Sequence, residues 1–302
     1  MGHDHAHGQD LNENRLAIAV VANVLLTVAQ VIGGLVSGSL ALVADALHNL
    51  NDATSLGIAW LARRISRRPA DEQRTFGYRR AEIIGALVNF TTLILIGLYL
   101  VYEAIVRFFQ PQEIHGWTVV VLAGLALVVD VVTAFITYAG SKSSMNIKAA
   151  FIHNVSDALA SVAVIVVGTL ILLYEWYIVD PIVTLLIAAY VLYQGGTMLP
   201  RAIGILMEGV PPGLDIASVR AALMEPEAVI DAHHLHAWQL DEHHCAMEAH
   251  IVVAADNISE MEQIKATLRE ICAKRFHIHH TTLELELPEP GCGQDGGHCQ
   301  GN

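Results

Sequence analysis

Two His–Asp pairs with the same four-residue spacing lie within apolar stretches of this 302-residue chain. His48 and Asp52 belong to the stretch DALHNLND, and His153 and Asp157 repeat the spacing in FIHNVSDAL. Residues four apart on a helix share one face, with Cβ atoms roughly 6 Å apart. Two imidazoles and two carboxylates are a ligand set that suits a four-coordinate zinc ion. We therefore predict that the two pairs hold one divalent metal ion between two helices.

The surroundings of these pairs predict a membrane α-helical fold. The chain is 54% hydrophobic and only 16% charged, with a mean hydropathy of +0.47, which is too apolar for an ordinary soluble domain. Six segments approach the roughly 20 residues that a spanning helix needs. These are Leu16–Val36, Leu40–Ala62, Ala81–Val106, Trp117–Ala139, Ala149–Leu173 and Ile178–Gly195. An ionisable group at the centre of such a helix costs about 2.5–3.5 kcal/mol, so two repeated pairs favour a functional role over a structural one.

Basic residues predict the orientation of the six helices. The loop between the second and third helices holds seven arginines, and the loop between the fourth and fifth holds Lys142 and Lys148. The loops on the opposite side contain a single arginine or lysine, Arg107. The positive-inside rule therefore puts both termini in the cytoplasm of an integral membrane protein surrounded by lipid. The net charge of −13 argues against nucleic acid as a partner.

Two further acids lie inside predicted helices. Asp45 precedes His48 by nearly one turn and could be a ligand, a partner that orients an imidazole, or a charge on the metal path. Asp130 lies about halfway along the fourth helix, where it could relay protons or accept a helix–helix hydrogen bond.

The last third of the chain reads as a small soluble domain. The pattern predicts helices over Asp215–Met224 and Ser259–Arg275 and strands over Val229–Leu240, Cys245–Ala254 and Thr281–Leu287. This αββαβ order predicts an open α+β layer with the helices on one face. We divide the chain into an N-terminal arm (1–15), a six-helix membrane domain (16–208), the soluble domain (209–290) and a tail (291–302).

Both termini carry residue types that bind metals. His3, His5 and His7 form either a solvated tail or a loose metal-collecting arm. Cys292 and Cys299 lie in a glycine-rich tail, and thiolate together with imidazole suits zinc or cadmium.

At this level of detail the chain resembles the zinc-transporting branch of the cation diffusion facilitators. The matching stretches are SGSLALVADALHNLND, FGYRRAEIIGALVN, the second HNVSD, HHLHAW and EAHIVV, over about residues 10–290. The resemblance implies a homodimer of six-helix protomers that exchanges a divalent metal for protons by alternating access. It also implies a cytoplasmic metal-binding and dimerisation domain similar to a metallochaperone.

The resemblance also implies roles for single residues. His48, Asp52, His153 and Asp157 match the transport site, and histidine at position 48 is the pattern associated with zinc. In the soluble domain, the positions that often carry ligands are His233, His250, Glu284 and Glu286. Arg74 and Tyr78 stand where some relatives have a further loop site, so we expect that site to be missing. A histidine-rich loop between the fourth and fifth helices is also missing, which favours an exporter of the bacterial cytoplasmic membrane.

The residue chemistry agrees with proton coupling. Zinc needs neutral imidazole and ionised carboxylate, so metal loading releases protons and protonation expels the metal. Histidine, with an unperturbed pKa of about 6.5, makes this exchange near neutral pH. We expect Zn²⁺ as substrate and as a regulatory ligand, with Cd²⁺, Co²⁺, Ni²⁺ and Fe²⁺ as further candidates.

Two other functional classes compete with transport. In a membrane metal sensor the soluble domain would bind zinc and the helices would only signal, but a sensor needs no ligands buried in the membrane. A metal hydrolase needs an open coordination position, which four protein ligands would fill. We therefore expect no enzymatic activity.

Overall fold

The computed structural model of the chain describes residues 24–141, 145–254 and 260–288. Six helices come first, and each corresponds to one predicted segment. They are α1, described over Val24–Ser37, and α2 (Leu40–Ser66), α3 (Ala81–Phe109), α4 (Gly116–Ser141), α5 (Met145–Tyr174) and α6 (Val179–Leu206).

Helices α3 to α6 are the four, among the described residues, that are long and apolar enough to cross a membrane. Helix α2 has 27 residues and is therefore long enough. It is less apolar because Asp45, His48 and Asp52 interrupt its first half. In α2 the predicted metal ligands, together with Asn49 and Asn51, lower the hydropathy of the helix, whereas α5 remains apolar enough despite His153 and Asp157.

The sixth helix is longer than predicted. We expected it to end at Gly195, but α6 continues to Leu206 with Pro200 inside it. Proline has no N–H to donate to the carbonyl one turn earlier, so it usually ends or kinks a helix. The prediction that the sixth helix ends at Gly195 is therefore wrong.

The first unit of the structure comprises residues 24–60 and 88–199. Its apolar core includes Leu42, Leu100 and Val164, from three different helices. A close approach joins α4 to α5: a Cβ atom added to Gly116 would lie 2.9 Å from the carbonyl oxygen of Gly168. Small residues allow such backbone contacts between membrane helices, and this one fixes α5 against α4.

The second unit comprises residues 61–87 and 200–288 and contains the α+β domain. Its elements are α7 (Ile216–Leu223), β1 (Val229–Gln239), β2 (Cys245–Val253), α8 (Met261–Phe276) and β3 (His280–Glu286). The predicted αββαβ order is confirmed. Strand β2 is central, antiparallel to β1 and parallel to β3.

The two faces of this sheet differ in character. Alternate residues of β2, such as Met247 and Ile251, are buried against Val219 of α7 and Leu268 of α8. Because successive strand residues point to opposite faces, the residues between them, such as His250, lie on the face away from the helices. The predicted soluble-domain ligands occupy this second face.

Candidate metal centre

The two predicted His–Asp pairs meet between α2 and α5. Within each helix, the four-residue spacing brings Nε2 of His48 to 3.6 Å from Asp52 Oδ2, and Nε2 of His153 to 3.4 Å from Asp157 Oδ2. Two contacts cross between the helices. His153 Nε2 lies 3.2 Å from Asp52 Oδ2, and His48 Nε2 lies 3.7 Å from Asp157 Oδ1. We name these four residues the membrane group.

Three members of the membrane group form a compact set of donors. One ligand atom each from His48, Asp52 and Asp157 lies within 4.8 Å of the other two. His153 is the most exposed member, with 41% of its side chain accessible, and its ring centroid is 6.2 Å from that of His48. Its Nε2 contacts both carboxylates. His48 is only 5% exposed. The arrangement offers one imidazole and two carboxylates to one point, and the second imidazole contacts both carboxylates.

The hydrogen bonding of the membrane group is incomplete. Both ring nitrogens of His48 and Oδ2 of Asp52 are buried and accept or donate no hydrogen bond within the described residues. A buried polar group without a partner is costly, and most such groups in proteins are satisfied. Donor atoms left open at one point are the arrangement that a bound cation completes.

Asp45 and Asp130 lie near the membrane group but bond elsewhere. Oδ2 of Asp45 accepts a hydrogen bond from Nε2 of Gln30 on α1 at 2.9 Å, so Asp45 does not orient the His48 ring through a hydrogen bond. Oδ2 of Asp130 accepts from the Ser161 hydroxyl at 2.8 Å. Ser161 belongs to α5, so Asp130 makes the helix–helix hydrogen bond that was one of its two predicted roles.

One neighbour of the membrane group, Tyr190 of α6, was not identified from the sequence. Its ring stands edge-on to His48, with centroids 5.9 Å apart, and its hydroxyl accepts a hydrogen bond from Nε2 of Gln194 at 2.7 Å. A single tyrosine in an apolar helix has no distinctive spacing. Only the packing of α6 against α2 reveals the contact.

A second group of donors lies on the sheet of the soluble domain. Strand register places His233 opposite His250, and His250 opposite Glu284. One ligand atom each from His233, His250 and Glu286 lies within 4.8 Å of the other two. His250 Nδ1 is 2.5 Å from Glu286 Oε1, and its Nε2 is 3.5 Å from Glu284 Oε2. The structure therefore brings all four predicted residues together; we name them the sheet group.

A β-bulge adds a histidine that spacing could not assign. The register of β1 against β2 shifts between His233 and His236, and His234 has a left-handed backbone with φ of 51°. In a regular strand, consecutive side chains point to opposite faces. Here the ring centroid of His234 is 4.9 Å from that of His250, so both consecutive histidines approach the same partner.

The described cysteines are thiols away from both groups. Cys272 is fully buried in the domain core, and burial raises its pKa to about 11. Burial also raises the pKa of the half-buried Cys245. The predicted terminal ligands His3, His5, His7, Cys292 and Cys299 lie outside the described residues.

Comparisons with known proteins identify the family of the chain. A family model described as "Cation efflux transmembrane domain" matches residues 16–207, and one described as "Cation efflux protein, cytoplasmic domain" matches residues 211–287. "Metal cation efflux system protein CzcD" of Cupriavidus metallidurans is 36% identical, over 95% of this chain and 90% of the relative. "Zinc transporter ZitB" of Pectobacterium atrosepticum is 36% identical, over 99% and 92%.

Two further similarities concern the whole chain and its last third. A "Cadmium, cobalt and zinc/H(+)-K(+) antiporter" of Bacillus subtilis is 35% identical, over 95% of this chain and 92% of the relative. The solved metal-bound C-terminal domain of the CzcD transporter is 26% identical, covering 24% of this chain and all of that one, with a TM-score of 0.23. The extent and identity of the full-length matches show that this chain belongs to the cation efflux family, the cation diffusion facilitators, whose members are transporters of divalent metal cations and not enzymes.

Proposed function

We propose that this chain exports Zn²⁺ in exchange for protons, by alternating access, with the membrane group as the transport site. One observation carries the proposal: ligand-type atoms of α2 and α5 approach one another in both cross-helix directions, at 3.2 and 3.7 Å. Two imidazole nitrogens and two carboxylate oxygens are the donor types of a four-coordinate zinc site. Within the described residues, the buried ring nitrogens of His48 make no hydrogen bond, which supports a cation as their partner.

Protons and the metal would compete for the same four side chains. Zinc requires His48 and His153 as neutral rings and both aspartates as carboxylates, so metal release and proton uptake are linked. Imidazole titrates near neutral pH, where this exchange is useful. The basic loops support an orientation with both termini in the cytoplasm, for which we propose a bacterial inner membrane. Export as the direction of transport is proposed from the relatives, one of which is named a metal cation efflux system protein.

The sheet group would serve as a regulatory zinc site in a homodimer. His233, His250 and Glu286 supply three donors, and Glu284 reaches His250 from the neighbouring strand. Bound zinc would replace several hydrogen bonds with coordination bonds and stiffen the exposed sheet face. We propose Cd²⁺ and Co²⁺, which the name of a relative mentions, and also Ni²⁺ and Fe²⁺ as alternative substrates.

The deciding experiment measures zinc-driven proton movement in proteoliposomes for the wild type and Asp157→Ala. We expect a proton flux that depends on zinc in the wild type and its loss in the variant. Equal flux in both proteins would contradict the four-residue site. Tight zinc binding without flux in the wild type would favour the sensor, because the sheet group could bind metal without transport.

A further inference from the structure

Asp180 is a fully buried acid in the first turn of α6 and lies outside the membrane group. Its carboxylate oxygens accept three hydrogen bonds from the start of α2. They come from the Ser39 hydroxyl at 2.6 Å, the Leu40 N–H at 2.8 Å and the Ala41 N–H at 3.2 Å. Asp180 therefore caps the N-terminus of α2 from a different helix.

This cap meets a strong physical requirement. The first N–H groups of a helix have no partner within the helix, and a membrane interior offers no water to satisfy them. The residues at this end of α2 are buried, including Ser39, Leu40 and Ala41. A carboxylate also complements the positive end of the helix dipole.

Neighbouring elements fix the same point. The guanidinium of Arg107 on α3 donates to the carbonyl oxygen of Gly38 at 2.5 Å, and the His115 N–H donates to the carbonyl oxygen of Ser37 at 2.9 Å. Gly38 has a left-handed backbone with φ of 78°, and a Cβ atom there would lie 2.9 Å from the carbonyl oxygen of Glu113. The start of α2 is thus anchored on three sides.

The anchored end lies close to the ligands that α2 supplies. His48 follows Leu40 by eight residues, about 12 Å along a helix at 1.5 Å per residue. Since α2 is a continuous helix from Leu40 to Ser66, a shift of its start moves His48 and Asp52 with it. Ligand distances in metal sites are held within about 0.2 Å, so the four donors tolerate little displacement.

We infer that Asp180 is a positioning residue of the transport site, which sets the axial position of His48 and Asp52 by capping α2 from α6. The inference rests on the proposed transport site. Asp180 holds the helix that carries two of the ligands and does not contact the metal itself.

The test measures zinc and cadmium affinities of full-length protein in detergent, in a His233→Ala/His250→Ala background that removes the sheet group. We expect Asp180→Ala to weaken zinc binding by about tenfold or more, the range seen when groups that orient metal ligands are removed. We expect the ratio of zinc affinity to cadmium affinity to be lower in Asp180→Ala than in the wild type, because a site with loosened ligands fits the larger cadmium ion better. This ratio does not depend on the fraction of active protein, so a merely structural defect would not change it.

Three variants complete the design. Asp180→Asn keeps one acceptor oxygen and should give an intermediate loss. Thr184→Val is the matched control, because its buried hydroxyl donates to the Asp180 backbone carbonyl on the same helix at 2.8 Å and does not cap α2. We expect it to leave the affinity ratio unchanged. Ser39→Ala removes the 2.6 Å contact and leaves the carboxylate two N–H partners. It also removes the acceptor of the Leu42 N–H at 3.2 Å, so it loosens the same helix start and keeps the test valid if Asp180→Ala does not fold.

The outcomes separate this inference from the proposed function. If Asp157→Ala loses zinc binding while Asp180→Ala, or Ser39→Ala in its place, keeps the wild-type affinity and ratio, only the positioning role is wrong. If Asp157→Ala also binds zinc normally, the membrane group is not the site and both proposals are wrong. A shifted ratio in the Asp180 variants with a normal ratio in Thr184→Val supports the inference.

Discussion

The membrane group and the sheet group use the same ligand types, but only the membrane group contains deeply buried ligands, His48 and Asp157. Within the described residues, neither ring nitrogen of the almost fully buried His48 has a hydrogen-bond partner, whereas the side chains of Asp52 and His153 are 33% and 41% exposed. In the sheet group, the side chains of His233, His250 and Glu286 are about one-third exposed, at 33%, 32% and 32%. There the histidines contact carboxylates directly, with His250 Nδ1 at 2.5 Å from Glu286 Oε1.

This difference predicts how each group depends on metal. Buried polar atoms without partners are costly, so we expect the buried ring of His48 to depend on a bound metal ion or on protons. The sheet group is partly exposed to solvent and has internal hydrogen bonds, so we expect its residues to tolerate the metal-free state. Substitutions in the membrane group should abolish transport, and substitutions in the sheet group should lower the rate of transport without abolishing it.

The largest effect is expected for Asp52→Ala. Asp52 contacts both His48 and His153, so its loss removes one donor and separates the two helices' imidazoles. In protein lacking the sheet group, we expect zinc affinity to fall by about a hundredfold, equivalent to about 3 kcal/mol at 1.4 kcal/mol per tenfold step. Isothermal titration calorimetry measures this. Ser55→Ala is the control, because its hydroxyl bonds only the Asp52 backbone carbonyl at 2.7 Å. Equal losses in both variants would contradict a direct ligand role.

Much of this comparison was predictable from the sequence. The repeated spacing of His48/Asp52 and His153/Asp157 predicted that each pair shares a helix face, and α2 and α5 bring the pairs together. The αββαβ order followed from alternating strand residues such as Leu283 and Leu285, which pack toward the core.

Other features depend on tertiary packing that local patterns do not encode. The approach of His234 to His250 requires a bulge in β1, and the contact of Tyr190 with His48 requires α6 to pack beside α2. The continuation of α6 through Pro200 is of the same kind, because packing in the surrounding structure outweighs the local preference of proline to end a helix.

His250→Ala should have a smaller effect that is confined to the soluble domain. It removes the residue that contacts both Glu284 and Glu286, so we expect zinc affinity of the sheet group to fall about tenfold to a hundredfold. Zinc flux in proteoliposomes should decrease but persist. His279→Ala is the control, since His279 is exposed and belongs to neither group. Complete loss of flux in folded His250→Ala protein would show that the sheet group is not merely regulatory.

Ser161→Ala tests the role of Asp130, a buried acid that accepts a hydrogen bond from the Ser161 hydroxyl. Removing the hydroxyl leaves Oδ2 of Asp130 without its 2.8 Å hydrogen bond between α4 and α5. A hydrogen bond to a charged or buried acid contributes about 1–3 kcal/mol, so we expect a lower melting temperature in detergent. Zinc affinity should remain near that of the wild type. A large loss of affinity with unchanged melting temperature would instead assign Asp130 a direct role at the membrane group.

The smallest effect concerns the two described cysteines of the soluble domain, which differ in burial. Because burial raises the pKa of Cys272 to about 11, its thiol is neutral at pH 7, and its thiolate fraction should rise about tenfold per pH unit below that pKa. In a Cys292→Ser/Cys299→Ser background, we expect an alkylating reagent at pH 7 to modify the half-exposed Cys245 before Cys272. Peptide mass spectrometry follows both sites over time and pH, with zinc flux unchanged by modification of Cys245. Rapid labelling of Cys272 at pH 7 would mean that the domain core is as accessible as the half-buried start of β2, and the expectation of a rigid core would then be wrong.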